Sequence, residues 1–316
     1  MRASRAVADR LVWDRDGRDW PHREASRFVS AAGLCWHVQQ MGATAAPALL
    51  LIHGTGGSVH SWRGLMPLLA QHFHVVAADL PGHGFTDAAP AATMSLPGMA
   101  GALRQLLVVL GVEPALLLGH SAGAAIATRM VLDGQPAARG LLGLNAAMLP
   151  LHGLPGLFFA PMARLLAGNP LVPRLFSWRA QDQASVVRLI ARTGSHIDAE
   201  GVDLYGRLVR SPGHVGGALD MMANWQLDDF WRDLPQLRTP LMLLVGAKDR
   251  TLPPDQAWRV AARAPDVRVV TLPGLGHLAH EEQPQQVLPF VLQWARETKV
   301  MDTKVRDTLS GADPAS

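Results

Sequence analysis

Three residues that lie far apart in the sequence have the types needed to activate a serine nucleophile. Ser121 stands in a Gly-x-Ser-x-Gly pattern at residues 119–123, between a short apolar run and a stretch of small residues that predicts a helix. Asp249 and His277 each follow another apolar run. A serine hydroxyl becomes a good nucleophile when a histidine takes its proton and a carboxylate holds that histidine in the right tautomer. We therefore interpret Ser121 as nucleophile, His277 as base and Asp249 as acid.

Each of these positions also has a purely structural interpretation. The serine pattern is compatible with an ordinary tight turn, Asp249 with a turn or helix cap, and His277 with a loop contact. All three follow predicted strands, however, and the carboxyl ends of parallel strands meet at one edge of a sheet. This joint placement favours catalysis. The acid could also stand at the end of the strand before the one that leads to Asp249. That position holds Asn145, which carries no charge, so Asp249 is the preferred acid.

Acyl transfer also needs hydrogen-bond donors for the negative charge that develops on the carbonyl oxygen. The backbone N–H of Ala122, directly after the nucleophile, is one candidate donor. The second is expected from Thr55 or Gly56, because the glycines there allow the backbone to approach the substrate closely. His53, at the start of that loop, is interpreted as structural.

The histidines do not form a recognisable metal motif. His277 and His280 have i, i+3 spacing, and His53 lies close to His60, but no cysteine partner and no His-Glu-x-x-His pattern accompany them. The glycine-rich loops lack the lysine of a phosphate-binding motif. We therefore predict neither a metal nor a cofactor.

Strands and helices that alternate along the chain position these residues. Apolar runs predict buried strands at Ala48–Ile52, Phe73–Ala78, Ala115–Leu118 and Leu241–Val245, and apolar residues at helical spacing predict a helix over Ser61–Gln71. This alternation predicts an α/β fold with a mostly parallel central sheet and helices on both faces.

The alternation is interrupted once, and the interruption defines the domains. Residues 26–146 and 236–297 are expected to form the α/β core, and residues 147–235, in which strand patterns vanish, a helical cap. Residues 1–25 are expected to form a loosely held N-terminal arm and residues 298–316 a disordered tail.

The predicted cap is apolar and rich in Met and Arg, and its function has three interpretations. It can simply pack on the sheet, line a pocket for a large apolar ligand whose carboxylates meet Arg or His, or contact a membrane through Leu154–Leu166. For the pocket interpretation, the candidate substrate-binding residues are His120, Trp62, Phe158, Met222 and Trp225.

Composition excludes several classes of protein. Hydrophobic residues make up 48% of the 316 residues and charged residues 17%, so a large core is available. The net charge of +3 is not gathered into a basic run, which disfavours nucleic-acid binding. Cys35 is the single cysteine, and the N-terminus has no signal-peptide pattern, so we expect a cytoplasmic protein, with peripheral inner-membrane contact as the alternative.

The chain resembles the α/β-hydrolase superfamily over about residues 26–297. The resemblance rests on His53-Gly54, the serine motif, Asp249 and His277, which stand in that superfamily's nucleophile, acid, base order. A serine nucleophile implies that the chain lies outside the haloalkane dehalogenase and epoxide hydrolase branches, where the resemblance would imply an aspartate.

Five segments carry a narrower resemblance. The chain is similar to the BchO family, the magnesium-chelatase accessory proteins of bacteriochlorophyll biosynthesis, in residues 19–24, 53–56 with 60–63, 119–125, 221–225 and 276–282. That resemblance implies a tetrapyrrole setting and magnesium chelatase as a partner. Two hypotheses stay open: a serine hydrolase that acts on an ester or other acyl bond of an apolar substrate, and a non-catalytic porphyrin-binding or chelatase-partner protein on a hydrolase scaffold.

Overall fold

The fold is built on one eight-stranded sheet in a computed structural model that describes residues 9–150, 169 and 171–301. The strand order is β1-β2-β4-β3-β5-β6-β7-β8; β2 is antiparallel to β1 and β4, and the other neighbours are parallel. The predicted mostly parallel sheet is therefore confirmed. The strands are β1 Ser26–Ala31, β2 Leu34–Met41, β3 Ala48–Ile52, β4 His74–Ala78, β5 Leu116–His120, β6 Gly140–Leu144, β7 Leu241–Gly246 and β8 Val267–Leu272.

Twelve α-helices are assigned within the described residues. They are α1 Trp13–Asp16, α2 Met66–Leu69, α3 Leu96–Leu110, α4 Ala122–Leu132, α5 Leu171–Arg179, α6 Gln183–Ala191, α7 Ala199–Val209, α8 Pro212–Asn224, α9 Asp228–Asp233, α10 Gln256–Ala261, α11 Ala279–Glu282 and α12 Pro284–Glu297. None of the helices in these ranges is long and apolar enough to cross a lipid bilayer.

Both faces of the sheet are buried, because successive side chains of a strand point to opposite faces. In β3, Leu50 and Ile52 pack into a cluster with residues of α3 and α4, whereas Leu49 and Leu51 pack into a second cluster with residues of α2 and α12. Burial on both sides explains why the central strands are continuous apolar runs rather than alternating patterns.

The helix predicted over Ser61–Gln71 is shorter in the structure. A 3₁₀ helix covers Val59–Trp62, and α2 begins only at Met66. Gly64 lies between the two, close to Pro284 of α12, and a Cβ at this glycine would come 3.0 Å from the Pro284 Cγ. The apolar spacing predicted which side chains are buried, and the contact with α12 accompanies the break in the helix.

Helices α5 to α9 lie between β6 and β7, in the region where the sequence predicts a cap. Within the described residues of this insertion the assigned elements are helical. The predicted membrane-contact segment Leu154–Leu166, including Phe158, lies outside the described residues, as do residues 302–316 of the predicted tail.

The described part of the N-terminal arm, residues 9–25, packs against both the core and the insertion. Trp20 is buried in a cluster with Phe85 of the core and Leu204 of α7. The Asp19 carboxylate also accepts hydrogen bonds from Arg207 of α7. These contacts hold the described part of the arm more closely than its polar composition predicts.

Candidate active site

The Ser121 side chain is presented on a tight turn between β5 and α4. Ser121 has φ 51° and ψ −118°, a backbone conformation that costs a non-glycine residue about 1–3 kcal/mol. The turn depends on its two glycines: a Cβ at Gly123 would lie 2.1 Å from the Ile52 oxygen, and one at Gly119 would lie 2.3 Å from the Ala124 nitrogen. The glycine spacing seen in the sequence is therefore a steric requirement of this turn.

Asp249 and His277, which follow β7 and β8, are hydrogen-bonded to each other. His277 Nδ1 lies 2.7 Å from Asp249 Oδ2, and both residues are buried. The other carboxylate oxygen accepts hydrogen bonds from the backbone N–H groups of Thr251 and Leu252. This arrangement fixes the imidazole and leaves its Nε2 free to face a substrate or a nucleophile.

Ser121 and His277 line the same cavity, so the structure brings all three predicted residues to one edge of the sheet. The Ser121 hydroxyl makes no hydrogen bond to any described residue. In hydrolases without substrate, the hydrogen bond from nucleophile to base is often long and tightens in the substrate complex. The observed placement is compatible with that sequence of events.

Asn145, which the sequence marked only as an uncharged residue at the end of β6, holds the histidine loop. Its Nδ2 donates to the carbonyl oxygens of Gly276 (3.0 Å) and His277 (2.8 Å), and its Oδ1 accepts from the Gly246 N–H (2.7 Å). Two acceptors and one donor converge on the side chain, so an amide fits where a carboxylate does not. The signal for this role was the strand-end position itself.

A short stretch of the insertion, residues 193–196, bonds to the loops that follow β7 and β8. The Thr193 oxygen accepts from the N–H groups of Arg250 and His277, and Ser195 Oγ accepts from the Leu278 N–H at 2.8 Å. Between them, Gly194 at φ 84° passes so close that a Cβ would lie 1.9 Å from the Lys248 oxygen. The insertion is therefore coupled to the loops that carry Asp249 and His277.

His120, predicted as a substrate contact, lines the cavity and also supports the histidine loop. Its Nε2 donates to the His277 carbonyl oxygen at 2.9 Å, and its ring makes tilted contacts with the rings of His277 and His280. Burial, together with the two neighbouring histidines, lowers the pKa of His120 well below its ordinary value. The residue therefore acts as a neutral hydrogen-bond donor at neutral pH.

The cavity above Ser121 has a volume of about 800 Å³ and lies between the sheet edge and the insertion. Thr55 and Gly56 line it beside Ser121, and Met222 reaches it from α8. Gly54 lies against the turn, since a Cβ there would be 2.9 Å from Ser121 Cβ. Ala122 begins α4, so its N–H is one of the helix-terminal donors that lack an intrahelical acceptor.

Two of the five predicted substrate contacts lie away from this cavity. Trp62 is fully buried in the cluster that contains residues of α2 and α12, and its ring makes a tilted contact with His280. Trp225 ends α8 and packs against the cluster on the other face. A large aromatic side chain is suited to a core as well as to a pocket, and here both tryptophans pack against core residues. Phe158 lies outside the described residues.

Glu281, four residues after His277, joins the core to the insertion. Its buried carboxylate accepts hydrogen bonds from Arg63 and from the Tyr205 hydroxyl, each at 2.7 Å, and Arg63 also pairs with Asp198. Burial raises the pKa of Glu281 to about 7, although Arg63 and Tyr205 favour its charged form. The sequence assigned this glutamate only to a helix start.

Asp79, at the end of β4, ties together the loops below the cavity. Its carboxylate accepts from the N–H groups of Val59 (2.7 Å) and Phe85 (2.9 Å) and lies 2.8 Å from His37 Nδ1. Burial opposes its ionisation, but His37 and the backbone donors outweigh burial and lower the pKa of Asp79 to about 2. Asp79 is therefore a charged structural anchor.

In the part of the chain that the structure describes, no group of three or more His, Cys, Asp or Glu side chains has the arrangement of a metal site. The neighbouring rings of His277, His120 and His280, all of them described residues, do not form such a group. His120 is committed to a backbone carbonyl oxygen, and both ring nitrogens of the buried His280 lack hydrogen-bond partners.

The fold and the tight serine turn are those of the α/β-hydrolase class, and the sequence comparison agrees with that class. The α/β-hydrolase fold family matches residues 47–284, so the chain belongs to that family. The magnesium-chelatase 30 kDa subunit of Rhodobacter capsulatus is 36% identical to the chain over 276 residues, which are 87% of this chain and 96% of that relative. The resemblance seen in the sequence is thereby confirmed.

Solved structures share the fold at lower sequence identity. The epoxide hydrolase CorEH has a TM-score of 0.73 and 22% identity, covering 85% of this chain and 98% of its own. An esterase from Thermogutta terrifontis has a TM-score of 0.70 and 22% identity, covering 86% of this chain and 98% of its own. These similarities establish the fold alone.

Proposed function

We propose that the protein is a serine hydrolase that cleaves an ester or other acyl bond of an apolar substrate. Ser121 Oγ attacks the acyl carbon as His277 takes its proton, and His277 then gives that proton to the leaving group. A water molecule, deprotonated by His277, next attacks the acyl-serine, so the acid leaves and Ser121 recovers its proton. Asp249 holds the imidazole and stabilises its cation. One arrangement supports the proposal: His277 is hydrogen-bonded to Asp249 at 2.7 Å and lines the same cavity as Ser121, whose backbone is held in a strained turn.

The oxyanion of this reaction is assigned to two backbone donors. Ala122 contributes the first N–H, at the start of α4, where the helix dipole also favours negative charge. Thr55 or Gly56, which line the cavity beside Ser121, contribute the second. Loss of one such donor typically raises the barrier by about 2.7–4 kcal/mol.

The physiological setting is proposed from the relative. A protein 36% identical over nearly its full length carries the name of a magnesium-chelatase subunit, so we place this hydrolase as an accessory factor at the magnesium-chelatase step of bacteriochlorophyll biosynthesis. A tetrapyrrole or a molecule handled with it is then the substrate class, and magnesium chelatase the partner.

A fluorophosphonate probe tests the chemistry directly. We expect covalent labelling of the wild-type protein at Ser121 between pH 6 and 9, located by peptide mass spectrometry, and none in Ser121→Ala. Ser185→Ala is the matched control, because Ser185 lines the same cavity but bonds only to Asp182 and Arg188 in the described part of the chain. A folded wild-type sample that stays unlabelled at every pH refutes the hydrolase.

The alternative is a non-catalytic porphyrin-binding or chelatase-partner protein. The chelatase name of the relative and the Ser121 hydroxyl, which has no hydrogen bond to a described residue, favour it. Titration of Ser121→Ala with protoporphyrin separates the hypotheses, together with pigment formation in cells that carry this variant. Saturable binding with normal pigment supports the alternative, and loss of pigment with intact folding supports catalysis.

A further inference from the structure

Three arginines of the insertion line the cavity above Ser121. Arg179 is the last residue of α5, and Arg188 and Arg192 lie one turn apart at the end of α6. Phe176 lies three residues before Arg179, and Leu189 lies three residues before Arg192; both apolar residues also line the cavity. Residues three apart share a helix face, so each face carries an apolar side chain next to a charged one. The cavity wall formed by these three arginines therefore presents guanidinium groups beside an apolar surface.

Among the described residues that line the cavity, none is an Asp or Glu. Burial lowers the pKa of His120, and it lowers that of His214 to about 4, so both stay neutral at pH 7. Arg179, Arg188 and Arg192 therefore carry the permanent positive charge of the described lining.

The guanidinium groups are largely unused by the protein. Arg188 bonds to Asp182 and Ser185, an exposed arrangement of small energetic weight. Arg179 and Arg192 make no ion pair with any described residue. Arg63 and Arg207, by contrast, each pair with two carboxylates, so the guanidinium groups of Arg179 and Arg192 are the ones left available to a ligand in this cavity.

We propose that this wall selects the ligand, and that the cavity takes an apolar molecule that carries at least one anionic group, such as a carboxylate. The apolar body fills the space between α5, α6 and α8, and the anion meets Arg179, Arg188 or Arg192. The inference rests on the proposed function only in taking this cavity as the substrate site.

Two fluorescent probes with the same arylamine skeleton test the charge preference: anionic 1-anilinonaphthalene-8-sulfonate and neutral N-phenyl-1-naphthylamine. Titrations use Ser121→Ala, so that no turnover interferes. We expect the anion to bind about tenfold or more tightly than the neutral probe, as charge-assisted hydrogen bonds imply. The preference falls severalfold when Arg179→Gln and Arg192→Gln are added, and it weakens with added salt.

Two control variants locate the effect. Arg259→Gln removes an exposed arginine of α10 that does not line the cavity, and it should leave the preference unchanged. Ala218→Trp fills part of the cavity, and it should weaken both probes in a sample whose circular dichroism matches the parent.

Equal affinity for the two probes, a preference that survives the arginine replacements, or probe affinities that Ala218→Trp leaves unchanged would overturn the inference. Its failure differs from failure of the hydrolase: absent fluorophosphonate labelling with a retained charge preference removes only the catalytic proposal. Labelled Ser121 without a charge preference removes only the anion-binding wall.

Discussion

Replacement of the Asn145 amide by a carboxylate tests how the base is held in place. Asn145→Asp keeps the shape of the side chain and the acceptor for the Gly246 N–H, but it removes the donors to the carbonyl oxygens of Gly276 and His277. The His277 oxygen retains His120 Nε2 at 2.9 Å. The Gly276 oxygen, however, loses the hydrogen bond that it accepts from Asn145 Nδ2. Asn145 is only 2% exposed, so the loss occurs in a buried site.

The expected magnitude follows from these contacts. A buried acceptor left without its donor costs about 1–3 kcal/mol, and an unpaired buried charge raises the total to about 3–5 kcal/mol. The introduced carboxyl group faces two carbonyl oxygens, so its folded-state pKa lies above its ordinary value. Its protonated form donates one hydrogen bond, so stability is greatest at low pH and falls as the pH rises above about 4.

Two assays measure the effect. Urea denaturation at pH 4.5 and pH 8 should show a free energy of unfolding reduced by about 3–5 kcal/mol at pH 8 and by clearly less at pH 4.5. Fluorophosphonate labelling of Ser121 should slow by about 10–100-fold, since displacement of His277 by about 1 Å has effects of that size.

Asn224→Asp is the matched control for this substitution. The Asn224 amide makes one exposed hydrogen bond, to the Asp220 oxygen of α8 at 2.8 Å. Its replacement should change stability by no more than about 0.5 kcal/mol, as surface substitutions usually do. If Asn145→Asp matches wild type at pH 8 in both stability and labelling rate, the assignment of Asn145 as a positioning residue is wrong.

Other buried contacts give three more predictions, each measured by urea denaturation. Gly123→Ala should destabilise by about 3 kcal/mol or more, because its Cβ meets a carbonyl oxygen at 2.1 Å, whereas Gly101→Ala on α3, whose Cβ would meet only the Arg104 side chain at an ordinary 3.8 Å, should gain about 0.5–1 kcal/mol; equal effects would contradict the steric argument. The low pKa of Asp79 contributes about 2 kcal/mol above pH 4, which is lost as the pH falls through about 2, so Asp79→Asn should abolish that dependence and a persisting one would refute it. The raised pKa of Glu281, about 7 against 4.5, makes stability fall as the pH rises from 4.5 to 7, and Tyr205→Phe, which removes a donor to the carboxylate, should extend that fall above pH 7; an unchanged profile would show that the hydroxyl does not matter.

Local sequence patterns predicted the parts of the protein that depend on local sterics. The glycines around Ser121 predicted a tight turn because only small residues fit where the Gly123 Cα meets the Ile52 backbone. Continuous apolar runs predicted central strands because both sheet faces are covered. Position at strand ends placed Asp249 and His277 near each other, and they lie 2.7 Å apart through Oδ2 and Nδ1.

Local patterns could not assign the walls of the cavity. Trp62 and Trp225 are apolar enough for either a pocket or a core, and only the packing of α12 and the sheet faces decided for the core. The composition of the insertion shows that it is rich in arginine, but it does not show which arginines line the cavity. In the structure Arg179 and Arg192 line it, whereas Arg207 pairs with Asp19.

The sequence alone therefore determined the order of elements, the strained serine turn and the residue types able to do acyl chemistry, because these follow from backbone sterics and hydrophobic periodicity over a few residues. The tertiary structure alone decided that Asn145 supports the histidine loop, that residues 193–196 clamp it, and which arginines reach the cavity. These contacts join residues up to 132 positions apart, and their distances are set by the strand order of the sheet and the docking of the insertion rather than by any local pattern.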